Sequence, residues 1–285
     1  MENHWLENFN ITIVGLGLIG GSLARGIKKL NPKNLWAIDL NEESLKKAEE
    51  EGIIDKGFKY AKEPLMESDL VILSIYPKEV LKFIYENVYN FKKGAIITDC
   101  TSVKGKVVYK SQKFLQIIRR DLEFLGGHPM AGGEKCGFKF SSENIFKNAT
   151  YILTPTRFNK EESIEKLSEL STLTGFKKVL SMSPDEHDKM VAFASHLPHI
   201  LAFILVSNRK VKKENFCFGG SFKDATRVAF SSPELWTDII MENSSNVLEE
   251  LGEFQKNIKY IEHMLKNKDR EALSCFLENI NKEKI

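Results

Sequence analysis

The sequence predicts an α/β domain built on a mainly parallel sheet, followed by an all-α domain. Three observations carry that prediction. Short apolar runs alternate with helical runs up to about residue 181, as βαβ units require. Beyond Ser183 the strand signal stops and apolar residues fall at helical spacing. A glycine-rich turn, Gly15-Leu16-Gly17-Leu18-Ile19-Gly20, joins the first strand to the first helix.

The elements follow in order. Asn10–Val14 (NITIV) is short, β-branched and ends at a glycine, so it reads as a buried strand. Residues 19–30 read as a helix, 35–39 (LWAID) as a second strand, and 42–51 as a charged helix stopped by Gly52. Residues 69–75 (DLVILSI) form an apolar strand that Pro77 closes, and 80–88 a helix. A strand at 95–99 (AIITD) precedes a helix from about Val103. Strands at 123–126 and 151–154, a helix at 161–174 and an edge strand at 178–180 complete the first domain. Helical spacing then covers 184–206, 235–261 and 270–280. The division falls at residues 1–181 and 182–285, and a cleft between the two parts is the default ligand site.

Composition removes several function classes. With 41 Lys+Arg against 39 Asp+Glu, the net charge of +2 gives no field favouring nucleic acid or an anionic membrane. The longest near-apolar stretch, 191–206, carries two His and a Pro and is shorter than the roughly 20 residues of a membrane span. The first residues, MENHWLENFN, lack the basic start and apolar core of a signal peptide. Cys100, Cys136, Cys217 and Cys275 are scattered, which disfavours a disulfide framework or a zinc site and suits a reducing cytoplasm.

The glycine turn is G-x-G-x-x-G between a strand and a helix. Gly15 allows the tight turn, Gly17 lets the backbone approach a pyrophosphate, and Gly20 lets the helix pack close to the strand. Leu18 and Ile19 open the helix, whose free N–H groups attract phosphate. Asp39 follows 19 residues after Gly20, where a carboxylate accepts from ribose hydroxyls and repels a 2′-phosphate. No Arg directly follows it, so the expected cofactor is NAD and not NADP, on a Rossmann-type domain. The Walker lysine of a kinase or ATPase is absent. Ser74 and Thr101, at the ends of later strands, face the same crevice.

Four polar clusters remain. In the first, Asp99–Gly105, Thr101 and Ser102 either cap the next helix or meet substrate, or do both. In the second, GGHPMAGGE (126–134), His128 sits between small residues, exposed enough to exchange protons in its working range, or else is structural. In the third, SHLPH (195–199), two His and Pro198 disturb an apolar helix, either as a site or as a kink. No third ligand turns His196 and His199 into a zinc site. In the fourth, GGSFKDATR (219–227), a guanidinium can clamp a carboxylate, or Lys223 and Asp224 form a solvated pair.

Taken in this order, GLGLIGGSLA, the acid of AIDLN, SVKG, GGHPMAGGEKCG, SHLPH, GGSFKDATR and the PELW run at 233–236 resemble the prephenate/arogenate dehydrogenase family of tyrosine biosynthesis. The resemblance implies an NAD-binding domain followed by a helical domain that dimerises, and oxidative decarboxylation of prephenate to 4-hydroxyphenylpyruvate with CO2 and NADH. It implies that His128 is the catalytic His, and that Ser102 orients it and contacts substrate and nicotinamide. It places His199, Gly220, Lys223 and Arg227 at the substrate, Arg227 on a carboxylate. Glu134 resembles a gating acid, and Trp236 a Trp that reaches the partner subunit's pocket. Gly133 departs from the Thr or Ser often found there and removes a hydroxyl. A monofunctional enzyme is expected, with any tyrosine inhibition acting at the active site. Arogenate as substrate, a β-hydroxy-acid dehydrogenase and a binding module without turnover are the competing readings.

Overall fold

The computed structural model describes residues 5–133, 135–207 and 219–282. Strands β1 (Asn10–Val14), β2 (Asn34–Ile38), β3 (Lys56–Phe58), β4 (Leu70–Leu73), β5 (Ile96–Asp99), β6 (Glu123–Pro129), β7 (Thr150–Thr154) and β8 (Lys178–Ser181) form one sheet. Their order is β3-β2-β1-β4-β5-β6-β7-β8. Helices α1 (Leu18–Lys28), α2 (Glu42–Glu50), α3 (Lys62–Glu67), α4 (Pro77–Asn87), α5 (Gly105–Ile118) and α6 (Glu161–Leu173) connect them. Alternate residues along a strand serve opposite faces. Ile11, Ile13, Leu70 and Ile72 enter one core with Leu23, Ile27 and Leu167. Val14, Val71, Leu73 and Ile97 enter the other with Val80, Ile84 and Leu115.

The register sets up the site. Val14 pairs with both Ile38 and Leu73, and Leu73 with Asp99. The four strands therefore end level, and the next residues in each, Gly15, Asp39, Ser74 and Cys100, stand in a row along the ligand end. The chain runs outward in opposite directions from β1 and β4, so the crevice between them is the topological switch point.

Several elements differ from the sequence reading. β3 and α3 were not anticipated; β3 is three residues long and includes Gly57, too short to show alternation. α4 begins at Pro77, not at residue 80, because a proline fits a first helical turn whose N–H needs no partner. β6 runs on to Pro129, so His128 lies inside a strand. β7 is antiparallel to β6. Among the described residues of the link, two short 3-10 turns, Phe138–Phe140 and Glu143–Phe146, are the helical elements, so the chain returns from the same end without a crossover helix.

The second part holds α7 (Pro184–Val191), α8 (Leu197–Ser207), α9 (Gly220–Thr226), α10 (Pro233–Glu242), α11 (Ser244–Lys266) and α12 (Arg270–Lys282). Ser183 and Glu186 form a capping box that starts α7. Between α7 and α8, Ala192–His196 is a π-helical turn. Pro198 lacks the N–H that would bond the carbonyl of Ala194, so the ladder there loosens as expected. The helix predicted over 235–261 is broken at Asn243, which separates α10 from α11.

The expectation that no apolar run is long enough to span a membrane is corrected. The helical run Pro184–Ser207 has the length and composition to do so, because it begins seven residues before the stretch counted in the sequence. Its buried residues include His187, Asp188 and His196, which belong to a polar cluster inside the protein.

Candidate active site

The cofactor end is built from the glycine turn. Gly15 has φ +94°, and a Cβ there would lie 2.4 Å from the Ser74 carbonyl oxygen. A Cβ on Gly20 would lie 1.9 Å from the Gly15 carbonyl oxygen, so α1 can approach β1 only without a side chain. Around Gly17 nothing lies within 4 Å of such a carbon. That open space lies at the N-terminus of α1, whose first turn contains Leu18 and Ile19. Asp39 Oδ2 accepts from the Leu16 N–H at 2.6 Å and Oδ1 from the Asn41 N–H at 2.8 Å. The carboxylate is thereby held beside the turn and half-exposed, with lone pairs left for a ribose. An open cradle, unpaired first-turn amides and a fixed acid fit a dinucleotide. Asp39→Asn weakens NAD binding by about 1.5–3 kcal/mol, the worth of hydrogen bonds to a charged group. NADH fluorescence titration checks this, and unchanged affinity removes Asp39 from the ribose.

Next to it, the end of β5 and the start of α5 carry a buried ion pair. Lys104 and Asp99 are both fully buried. Lys104 Nζ donates to Asp99 Oδ2 at 2.5 Å and to the Gly127 carbonyl at 2.6 Å. Asp99 also accepts from the Gly127 and Thr101 amides and from the Thr101 hydroxyl. Thr101 therefore spends its side chain on Asp99 and on the Val103 carbonyl. Ser102 is half-buried, and its hydroxyl has no hydrogen bond among the described residues. Cys100, with its thiol pushed up to about 12 chiefly by burial, lies against Ser74.

The sequence reading expected an exposed His128, and the structure corrects this: only 9% of its surface remains accessible. Its two preceding glycines serve packing, not flexibility. A Cβ on Gly126 would lie 2.3 Å from Thr154 Oγ1, and one on Gly127 2.3 Å from the Tyr151 hydroxyl. The ring's hydrogen-bond partner is His187 and not Ser102: His128 Nδ1 lies 2.8 Å from His187 Nε2. His187 Nδ1 lies 2.8 Å from Asp188 Oδ1. Burial, reinforced by His187, Lys104 and His196, holds His128 well below the ordinary imidazole range. The imidazole is thus neutral at neutral pH.

The helical domain adds His196, His199 and Trp236. His199 Nδ1 donates to the Ser195 carbonyl at 2.8 Å, and its ring stacks on Trp236 with centroids 3.5 Å apart. Trp236, expected to reach into a partner subunit, packs on its own chain's His199. Burial lowers the His199 pKa, the Ser195 bond opposes this, and the Arg227 charge lowers it further, which places Arg227 within electrostatic reach. Arg227, Lys223 and Gly220 lie on the exposed surface of and just beyond α9. Glu134 lies outside the described residues. The α7 pair His187 and Asp188 was missed in the sequence. Its only signal was the Ser-Pro-Asp-Glu-His-Asp start at 183–188, which reads as an ordinary capped helix.

Burial holds His196 down to about 4. Below pH 6.5 the unfolded chain takes a proton there that the folded chain refuses until about pH 4, so stability falls as pH falls through that window. The displacement corresponds to about 3 kcal/mol. Urea midpoints should drop between pH 6.5 and 4, and His196→Asn should flatten the drop. A level wild-type curve refutes this.

Comparison with known proteins agrees with this geometry. Residues 23–180 match the family model for the prephenate dehydrogenase nucleotide-binding domain, and residues 183–279 the one for the prephenate dehydrogenase dimerization domain. The chain belongs to the prephenate dehydrogenase family. It is an NAD-dependent oxidoreductase with a nucleotide-binding domain and a helical dimerisation-type domain. It is 36% identical over 271 residues to a Bacillus subtilis prephenate dehydrogenase, covering 92% of this chain and 72% of that one. Its fold is similar to Aquifex aeolicus prephenate dehydrogenase in complex with hydroxyphenyl propionate and NAD+, with TM-score 0.86, 33% identity and 96% of each chain covered. A Synechocystis arogenate dehydrogenase follows at TM-score 0.81 and 27% identity, covering 96% of this chain and 98% of that one.

Proposed function

We propose that the chain oxidatively decarboxylates prephenate, with His128 as general base and the helical domain holding the substrate. The observation that carries this is a neutral, buried His128 one strand away from the cofactor row, with its Nδ1 already engaged by His187. Nε2 makes no hydrogen bond among the described residues and is the nitrogen left to take the 4-hydroxyl proton. When bound, NAD accepts the hydride from the ring carbon that bears this hydroxyl. Loss of CO2 then makes the ring aromatic and pulls the reaction forward. The residues have little covalent work to do; they orient substrate and exclude water.

Substrate is a dianion. Arg227 is placed on one carboxylate, with Lys223 and Gly220 beside it, and His199 braced by Trp236. Ser102 is placed between substrate and nicotinamide, and Ser74 and Thr101 along the cofactor. The working unit is a homodimer formed through the helical domain. Phe193, Ile204, Leu205 and Phe230 are exposed in the single chain, and a second copy would cover them. This also accounts for the apolar character of the 184–207 helix without a membrane. The enzyme is placed in the cytoplasm, with a domain boundary after Ser181, and tyrosine would compete at the active site.

The test is NADH formation by the purified protein with NAD, comparing prephenate and arogenate. Turnover of prephenate well above arogenate is expected. The likeness to the Synechocystis enzyme favours arogenate as the second reading, and turnover of arogenate alone would establish it. No turnover of either would overturn the proposal.

A further inference from the structure

We infer that His187, held by Asp188, is a positioning residue that fixes His128 in the tautomer with hydrogen on Nδ1 and the lone pair on Nε2. The inference rests on the proposed role of His128 as base.

The hydrogen-bond inventory forces the tautomers one after another. The Asp188 carboxylate can only accept. Its Oδ1 takes the Lys104 N–H at 2.7 Å, and its Oδ2 takes the Gly105 N–H at 2.8 Å. The third contact, from His187 Nδ1 to Oδ1 at 2.8 Å, must therefore carry hydrogen on the nitrogen. His187 is fully buried, and burial keeps it neutral against the opposing pull of Asp188. A neutral ring with hydrogen on Nδ1 has a lone pair on Nε2. That lone pair faces His128 Nδ1 at 2.8 Å, so His128 Nδ1 must donate. His128 is neutral as well, and its one remaining lone pair falls on Nε2. Without this chain the His128 ring would sample both tautomers, and one of them presents a hydrogen where a base needs a lone pair.

The same carboxylate joins the two domains. Lys104 and Gly105 are the start of α5 in the nucleotide-binding domain, so Asp188, from α7, caps a helix across the boundary. Asn243 Nδ2 in turn donates to the Asp188 carbonyl at 2.7 Å, tying the start of α11 to the same point. Docking of the helical domain and orientation of the base are therefore one event.

The experiment uses the full-length protein labelled with 15N histidine. Long-range proton–nitrogen correlations report which ring nitrogen carries hydrogen, and His128→Asn identifies the His128 signals. Hydrogen on Nδ1 is expected for both His128 and His187; hydrogen on Nε2 of His128 overturns the inference, whatever the variants do. Two variants add a kinetic arm. His187→Phe removes the acceptor and should lower kcat about tenfold or more with little change in KM for NAD. His187→Gln keeps a side-chain oxygen able to accept from His128 Nδ1 and should restore most of that loss. Equal kcat in the two variants would overturn the inference. If His187→Phe does not fold, the wild-type spectrum still decides. Failure of the base assignment is distinct: it would show as normal turnover in His128→Asn.

Discussion

His128→Asn lowers turnover by about 10²–10⁴-fold, the usual worth of a positioned general base, and leaves NAD affinity unchanged. The argument begins in the strand. His128 pairs with Ile152 of β7 near the end of β6, beyond the reach of the β5 pairing, so the backbone beneath the ring is held by β7. The two preceding glycines let β6 pack against Thr154 and Tyr151, where a Cβ at either position would clash. Asn fits this space and can still meet His187, but it offers no nitrogen lone pair with an imidazole's basicity. Loss of kcat with unchanged NADH fluorescence titration is the expected pair of results. Near-normal turnover would remove His128 from the chemistry and leave it a structural residue. Since burial depresses the imidazole, the acid limb of kcat/KM should lie below pH 6.5 in the wild type. An acid limb above 6.5 would place the titrating base elsewhere.

Asp99→Asn destabilises the fold by about 3–5 kcal/mol, because it leaves the Lys104 ammonium buried without its counter-charge. Both side chains of this pair are fully buried. Lys104 keeps only the Gly127 carbonyl, and a neutral amide cannot balance the charge. The Asp99→Leu, Lys104→Met pair should recover part of the loss, since it removes the unpaired charge but leaves the Gly127 and Thr101 donors that Asp99 accepted without a partner. Urea unfolding of both proteins checks this. If the single change costs less than about 1 kcal/mol, the ammonium has found another partner or water. The pair also sets the carbonyl of Gly127, the residue before His128. The double replacement should therefore lower kcat in the protein that remains folded, and unchanged kcat would separate the pair from the site.

Much of the site was legible as residue type and spacing. Gly15, Gly17, Gly20 and Asp39 follow a local rule, because a strand, a tight turn and a helix N-terminus lie within one short stretch of chain. Their geometry in the fold is the geometry that rule describes. The disturbed helix around Pro198 was equally local, since a missing N–H acts on the preceding turn. The environment of His128 was not legible. The flanking glycines suggested flexibility, whereas packing against Thr154 and Tyr151, strand partners from β7, is what requires them. His187 and Asp188 read only as part of a capped helix start, because their partners lie 59 and 84 residues away in the chain.

By itself the sequence determined most of the strands and helices in their order, though not β3, α3 or the break at Asn243, together with the dinucleotide turn and the change to an all-helical second part. Each depends on contacts within a few residues, where hydrophobic period, glycine and proline act directly. Tertiary structure alone decided that β7 runs antiparallel, that His128 is buried and neutral, and that Asp188 caps α5 while holding His187. Those outcomes depend on desolvation and on hydrogen bonds between distant segments, which come into being only when the sheet and the second domain close around the same few side chains.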